Sequence, residues 1–268
     1  MSNARGVTIW SPSVDGAWSR IFAALSSGVD RLTPLRLSVR GRGTDWGLPG
    51  TGVQSALDAW LESVGLAKVG TVANTIFPQS LWSYTGHDRT RLFETYLSDL
   101  RWIKGQALAN RGGTYFSRMI APLPGKEAGQ LEYVISTYLR NRGIGRSPVA
   151  MRLQAGIFDT RRDNVGARPG FPCLQQVSFA VNEGTLSVNG FYATQQVLSK
   201  AYGNHLGLAR LGLFMAHEMG LELRTVEILV GIAHMERKGS SRSAEFGALK
   251  SVVATTLAAD TRGDMLED

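Results

Sequence analysis

The sequence predicts an α/β or α+β chain, long enough for one large domain or two smaller ones. Two observations predict the class: runs with apolar residues at three- and four-residue steps alternate with runs rich in β-branched residues, and the two kinds interleave along the chain. A third sets the scale: 43% of the 268 residues are hydrophobic, enough to bury a full core. No low-complexity segment or internal repeat interrupts the pattern.

The elements follow in order. Val53 to Leu66 (VQSALDAWLESVGL) sets Leu57, Trp60, Leu61 and Val64 on one face of a helix. Glu132 to Leu139 reads the same way. In "LQQVSFAVNEGTLSVNGFYA" the period drops to two, predicting a hairpin that turns at Asn182-Glu183-Gly184, where Gly184 takes a positive φ. From Gly203 the pattern is helical again, with Leu206, Leu213, Phe214 and Met219 toward the core and Gly220 as C-cap. The β-rich run "RTVEILVGIAH" then delivers His234 at its far end.

Composition narrows the function classes. One cysteine allows no internal disulfide, which suits a reducing compartment. The N-terminus is polar and no stretch of 18 apolar residues occurs, so a cytoplasmic protein with no membrane span is expected. The net charge of +7 suits an anionic ligand, a phosphate or a nucleic acid. Arginines gather at Arg36, Arg40 and Arg42, at Arg140, Arg142 and Arg146, and at Arg161 and Arg162. None of these runs has the length or the interleaved aromatics of a nucleic-acid-binding face.

The cysteine, Cys173, follows a proline at the mouth of the predicted hairpin in "GFPCLQQ". Its chemistry leaves two readings open: a small buried hydrophobe, or a nucleophile whose thiolate is favoured by nearby positive charge.

Pro-Cys, hairpin, Asn, long helix, strand and His, in that order, resemble the thymidylate synthase family. "NEGTLS" stands at the family's hairpin, "AYGNHLGLARLGLFMAHEMGLEL" at its Asn and helix, and "VGIAHME" at its His. Cys173 to Asn204 is 31 residues and Asn204 to His234 is 30, the family's ungapped spacing. Upstream, "QLEYVISTYLRNRGIGRS" is similar to its Asp-Gln-Leu helix and Arg pair, with Arg146 in a matching place. "GGTYFSRMI", with Arg118, stands at its Tyr-Gly-x-Gln-Trp-Arg segment, and "QSLWSYTG" at its Glu-Leu-Leu-Trp helix. The likeness is good over residues 128–236 and loose over 40–127; residues 1–40 and 240–268 are divergent ends.

The resemblance implies a thymidylate synthase-like α/β (α+β) fold, a mixed β-sheet layered with helices in a single domain over residues 1–268, and a transferase of nucleotide biosynthesis. Cys173 would add to C6 of a uracil-type nucleotide or nucleoside, so that C5 can take a methyl or hydroxymethyl group from 5,10-methylenetetrahydrofolate. No metal is implied. Asn204 would face O4 and N3–H of the base, His234 the sugar, Gln196 the folate, and Arg146 and Arg152 the substrate phosphate, with Arg118 a further substrate-binding residue. The arginine pair would come from the other subunit of a homodimer with shared sites. Arg146, Arg152, Arg161 and Arg162 are the expected source of positive potential at the thiol.

The departures are as specific as the matches. The family's phosphate-binding Arg-Ser falls on Ala193-Thr194, its folate Asp on Gln196 and its sugar Tyr on Glu236. The candidate for its catalytic Glu is Gln79, which cannot shuttle a proton. The acidic C-terminal tip has no likeness to the family's apolar closing tail. Two further readings therefore stand beside the transferase: a catalytically degenerate nucleotide-binding or sensor protein on the same frame, and a basic nucleic-acid-binding protein.

Overall fold

Where the hydrophobic period shortens to two the chain runs in strands, and where it lengthens it coils. The computed structural model describes residues 3–41, 46, 52–146, 150–164, 171–236 and 243–264. Strand β1 (Asn3–Ser11) leads through α1 (Val14–Ser26) to β2 (Arg31–Val39). A run of helices follows: α2 (Gly52–Ser63), α3 (Val69–Asn74), α4 (Gln79–Tyr84), α5 (Arg89–Ser98), α6 (Leu100–Gln106), α7 (Tyr115–Ile120) and α8 (Gln130–Gly143). Then come the short β3 (Gln154–Gly156), α9 (Thr160–Asp163) and the hairpin β4 (Leu174–Asn182) and β5 (Thr185–Gln196). A π-helical turn (Val197–Ala201) opens into α10 (Tyr202–Met219), followed by β6 (Glu222–His234) and α11 (Ala244–Asp264).

Among the described residues the strands form one six-stranded sheet in the order β1-β2-β6-β5-β4-β3. β1 runs parallel to β2 and β5 parallel to β6, while β2–β6, β4–β5 and β3–β4 are antiparallel. The parallel pairs need crossovers, which α1 and α10 supply. One face of the sheet is apolar and covered: Leu35, Leu37, Val177, Phe179, Val188, Tyr192, Ile228 and Val230 are all buried. The other face carries Arg36, Ser38, Ser178, Asn189 and Glu227, together with the exposed Phe191 and Leu229. It holds a shallow depression of about 440 Å³.

The expected elements lie where the pattern set them. α2 buries Val53, Leu57, Trp60 and Leu61, and α8 contains the Glu132–Leu139 run. The hairpin turns on Glu183 (φ 45°) and Gly184 (φ 80°), the double positive φ of a type I′ turn. Gly220 caps α10 in the left-handed region (φ 64°), and Leu206, Phe214 and Met219 are buried, although Leu213 is half-exposed. Gly203 and Gly207 let α10 lie directly on α3: a Cβ at Gly203 would meet Val72 Cβ at 2.6 Å, and one at Gly207 would meet Ile76 Cβ at 2.8 Å. Pattern reading left the first 40 residues unassigned; they form β1, α1 and β2, with Trp18, Ile21 and Leu35 fully buried. α11 joins the core through Phe246, Leu249 and Val253; the acidic tip read from the sequence lies outside the described residues, as does Arg42. No described helix is long and apolar enough to cross a membrane.

Candidate active site

Backbone register assembles the site. Cys173 precedes β4, and its carbonyl accepts the Ala193 amide at 3.0 Å, which fixes the cysteine against the last turn of β5. β5 and β6 end together, with Gln196 in register with His234. Three neighbouring strands therefore bring Cys173, Gln196 and His234 to one end of the sheet. Cys173 stands opposite Ala193, three residues short of Gln196, so with a strand spacing of about 4.8 Å and a rise of about 3.3 Å per residue the Cys173 and His234 backbones lie roughly 14 Å apart across β5.

Beyond β5 the chain tightens into the Val197–Ala201 π turn, which is held at four points. Trp18 Nε1 donates to the Val197 carbonyl at 2.9 Å. The buried Glu236 carboxylate accepts the Leu198 amide at 3.1 Å and the Ser199 amide at 2.5 Å. The Ser199 hydroxyl donates to Gln196 Oε1 at 3.2 Å. Glu236 thus meets amides that a helix start leaves without partners. That relieves Asn204 of the capping role its place at the start of a helix would suggest, because α10 already begins at Tyr202. Asn204 is only 4% exposed, yet its amide makes no hydrogen bond with the described residues. The half-buried His234 ring makes none either.

The electrostatics at the thiol differ from the expectation. Burial pushes the Cys173 pKa up, and the opposing positive charge is Lys200, not an arginine. Arg146 and Arg152 are exposed, Arg162 donates to the Gly112 carbonyl at 2.9 Å, and none of these, nor Arg161, acts on the thiol. Arg118 is spent elsewhere: it is 9% exposed, forms a two-pronged pair with Asp163 at 2.7 and 2.9 Å, and donates to the Ile157 carbonyl at 2.9 Å. Of these arginines, Arg118 and Arg162 are engaged by tertiary partners.

Two tyrosines complete the surroundings of the sulfur. Burial, reinforced by the neighbouring Cys173, raises the Tyr115 phenol to about 12, with the Leu174 and Cys173 backbone and Arg118 acting the other way. Tyr192 is fully buried beside Tyr115 and Cys173 and its pKa is driven well up, first by burial. Its hydroxyl has no hydrogen-bond partner among the described residues. Leaving such a group unpaired costs about 1–3 kcal/mol.

Sequence reading missed a second buried pair. His205 is fully buried, and its Nε2 lies 3.2 Å from Gln195 Oε1. Burial drives its pKa down to about 3, so the ring is neutral. The only hint in the sequence is a His inside an otherwise apolar helical run. Gln79 begins α4, half-buried, and its side chain forms no hydrogen bond with the described residues. Its corner is stitched to α7 by the Phe116 amide on the Thr75 carbonyl at 2.8 Å and by Phe77 against Phe116 at 5.6 Å. Gln79 is thus placed near the element that carries Tyr115, without contact to Cys173. No group of three or more His, Cys, Asp or Glu suited to a metal ion occurs among the described residues.

This architecture, with its sheet end and helix start, is a thymidylate synthase-like fold. Among solved structures, thermostable thymidylate synthase A from Bacillus subtilis superposes with a TM-score of 0.52 over 90% of this chain and 84% of that one, at 12% sequence identity. At that identity the likeness defines the fold alone. No protein-family profile matches the sequence, and no curated protein matches it.

Proposed function

We propose that the chain is a divergent thymidylate synthase-like transferase that activates C5 of a uracil-type nucleotide or nucleoside through Cys173. The observation that supports this reading is the sheet end itself: the Ala193–Cys173 hydrogen bond and the Gln196–His234 register set the backbones of Cys173 and His234 at the same end of the sheet. Nearby in the chain stands a buried Asn204 amide with no bond to the described residues. The sulfur adds to C6 of the ring and forms the S–C6 bond; the C5–C6 π electrons move onto C5 and O4, giving an enolate. C5 then bonds to a one-carbon electrophile, whose carrier leaves with the electron pair of the broken bond: a methyl-level donor gives the methyl product directly, and a formaldehyde-level donor gives the hydroxymethyl product once water adds. Loss of the C5 proton and expulsion of the sulfur restore the double bond. Asn204 donates to O4 and accepts from N3–H, stabilising charge where it develops. His234 faces the sugar.

The fold implies 5,10-methylenetetrahydrofolate as the one-carbon donor, but the residues do not fit it. Gln196 offers no carboxylate, and its carbonyl oxygen is engaged by Ser199. No step here is therefore routed through folate. Ala193 carries no charge and the Thr194 hydroxyl is given to the Ile232 carbonyl at 3.2 Å, so a 5′-phosphate gains little from this strand. Arg146 and Arg152, both exposed, remain the proposed phosphate contacts across a homodimer interface. Exposed Phe191, Leu229 and Ile232 on the open sheet face support association with a second copy.

Gln79 and a thiol held protonated by burial favour a second reading, in which the same pocket binds a pyrimidine nucleotide without turnover. The basic nucleic-acid reading is disfavoured because cations are committed within the chain: Arg118 to Asp163, Arg89 to Glu132 and Glu218, and Arg142 to the carbonyl of Met219. The deciding experiment incubates the protein with 5-fluoro-dUMP, 5-fluoro-UMP and 5-fluorouridine, followed by mass spectrometry. A Cys173 adduct, absent in Cys173→Ser, supports the transferase; binding without an adduct supports the sensor; neither ends both.

A further inference from the structure

The π turn after β5 is clamped at the Val197 carbonyl, the Leu198 and Ser199 amides and the Ser199 hydroxyl, and the next residue is the exposed Lys200. π turns recur at functional sites. Here the turn is fixed from both sides. β5 is bonded to Cys173 through Ala193, and β6 supplies Glu236 two residues beyond His234. A second observation points to the same spot: the fully buried Tyr192 hydroxyl, four residues before the end of β5, lacks a hydrogen-bond partner among the described residues and lies beside Cys173 and Tyr115.

We infer that Lys200 and Tyr192 form the cradle of the Cys173 sulfur, the ammonium supplying positive charge and the phenol a buried donor, in place of any arginine. On ionisation the thiol proton leaves to solvent, the thiolate is paired with Lys200, and the Tyr192 O–H finds in the sulfur the acceptor it otherwise lacks. Lys200 lies in the clamped turn that follows β5, the strand bonded to Cys173 through Ala193, so its ammonium is the cation set to favour the thiolate that burial opposes. Both are positioning residues that act through Cys173. This inference deepens the proposed role of Cys173 and rests on it.

The test uses the full chain and iodoacetamide as probe, reading the rate of Cys173 alkylation from about pH 6 to 10. Lys200→Met should move the midpoint upward and slow alkylation below it by about tenfold, since the thiolate fraction falls tenfold for each unit of pKa. Lys200→Arg should keep the wild-type profile. Lys250→Met, a surface lysine lying over the Phe246 ring, controls for net charge. Tyr192→Phe should also shift the midpoint upward while leaving the melting temperature unchanged or higher, because it removes an unpaired buried hydroxyl. A Lys200→Met profile superimposable on the wild type, or one matched by Lys250→Met, overturns the role of the lysine; an unshifted Tyr192→Phe profile overturns that of the tyrosine. No nucleotide enters the assay, so a shifted profile without a fluoropyrimidine adduct would fail the transferase reading and leave the cradle standing.

Discussion

Arg118 and Asp163 share two hydrogen bonds, at 2.7 and 2.9 Å, with side chains only 5% and 6% exposed, and so tie α7 to α9 on one flank of the Cys173 region. Burial alone would push the Asp163 carboxyl up; its bonds to Arg118 and the Asp159 amide, and the Arg118 and Arg162 charges, outweigh that and hold it below the usual carboxylate range. A depressed carboxylate contributes stability above its unfolded value near 4, and that stability is lost as pH falls toward its folded value. Asp163→Asn should therefore cost about 3 kcal/mol at pH 7, since it leaves a buried guanidinium without its charge partner. The difference from wild type should shrink below about pH 4. Urea unfolding of both proteins across pH measures it.

His205 sets an earlier acid limit. Its pKa falls from an ordinary value of 6.5 to about 3 on burial, so between those values the unfolded chain takes up a proton that the folded chain refuses. Stability contributed by the neutral ring is complete above pH 6.5 and declines by about 1.4 kcal/mol per unit as pH drops below it. His205→Gln should flatten the stability profile between about pH 6.5 and 5. A wild-type curve already flat there would show that the ring titrates normally.

The turn at Glu183 and Gly184 predicts a gain. Glu183 sits at φ 45°, where a side-chain-bearing residue is strained and Asn or Gly is favoured. Glu183→Asn should raise stability by about 0.5–1 kcal/mol without touching the site. Thermal unfolding would register it, and a loss would mean that the turn leaves the type I′ geometry.

Asn204 governs base choice in the proposed reaction. Uracil nucleotides should bind about tenfold more tightly than cytosine ones, the difference expected for a mismatched buried pair. Asn204→Asp should shift the preference toward cytosine. Asn204→Leu should abolish binding yet keep the fold, because the amide makes no hydrogen bond with the described residues. Calorimetry with dUMP, UMP, dCMP, CMP, uridine and cytidine separates these outcomes; equal affinities would remove Asn204 from recognition.

Legibility in the sequence followed the range of the interaction. The hairpin and α10 could be read because Gly184, Gly220 and the change of period act locally. The β1-α1-β2 unit could not, since β1 and β2 draw their order from pairing across a crossover and from β6, as in Leu35 opposite Val230. The landmarks Cys173, Asn204 and His234 were visible as a spacing. Their electrostatics were not: Arg118 found Asp163 45 residues away, and the charge at the thiol came from Lys200, which no motif singles out. The His205–Gln195 pair escaped notice because ten residues and a change of element separate its members.

The Glu236 clamp has a consequence for how such a protein can change. Because the sheet end and the π turn are joined through main-chain atoms, the Glu236 carboxylate, the Trp18 indole and the Ser199–Gln196 side-chain bond, the scaffold does not depend on what Ala193 or Gln79 carries: neither side chain bonds to the described residues. Chemistry at this end can drift, weaken or be replaced residue by residue while folding stays intact, so the shape of the chain is a poor witness to its present reaction. The side chains around one sulfur are the better one.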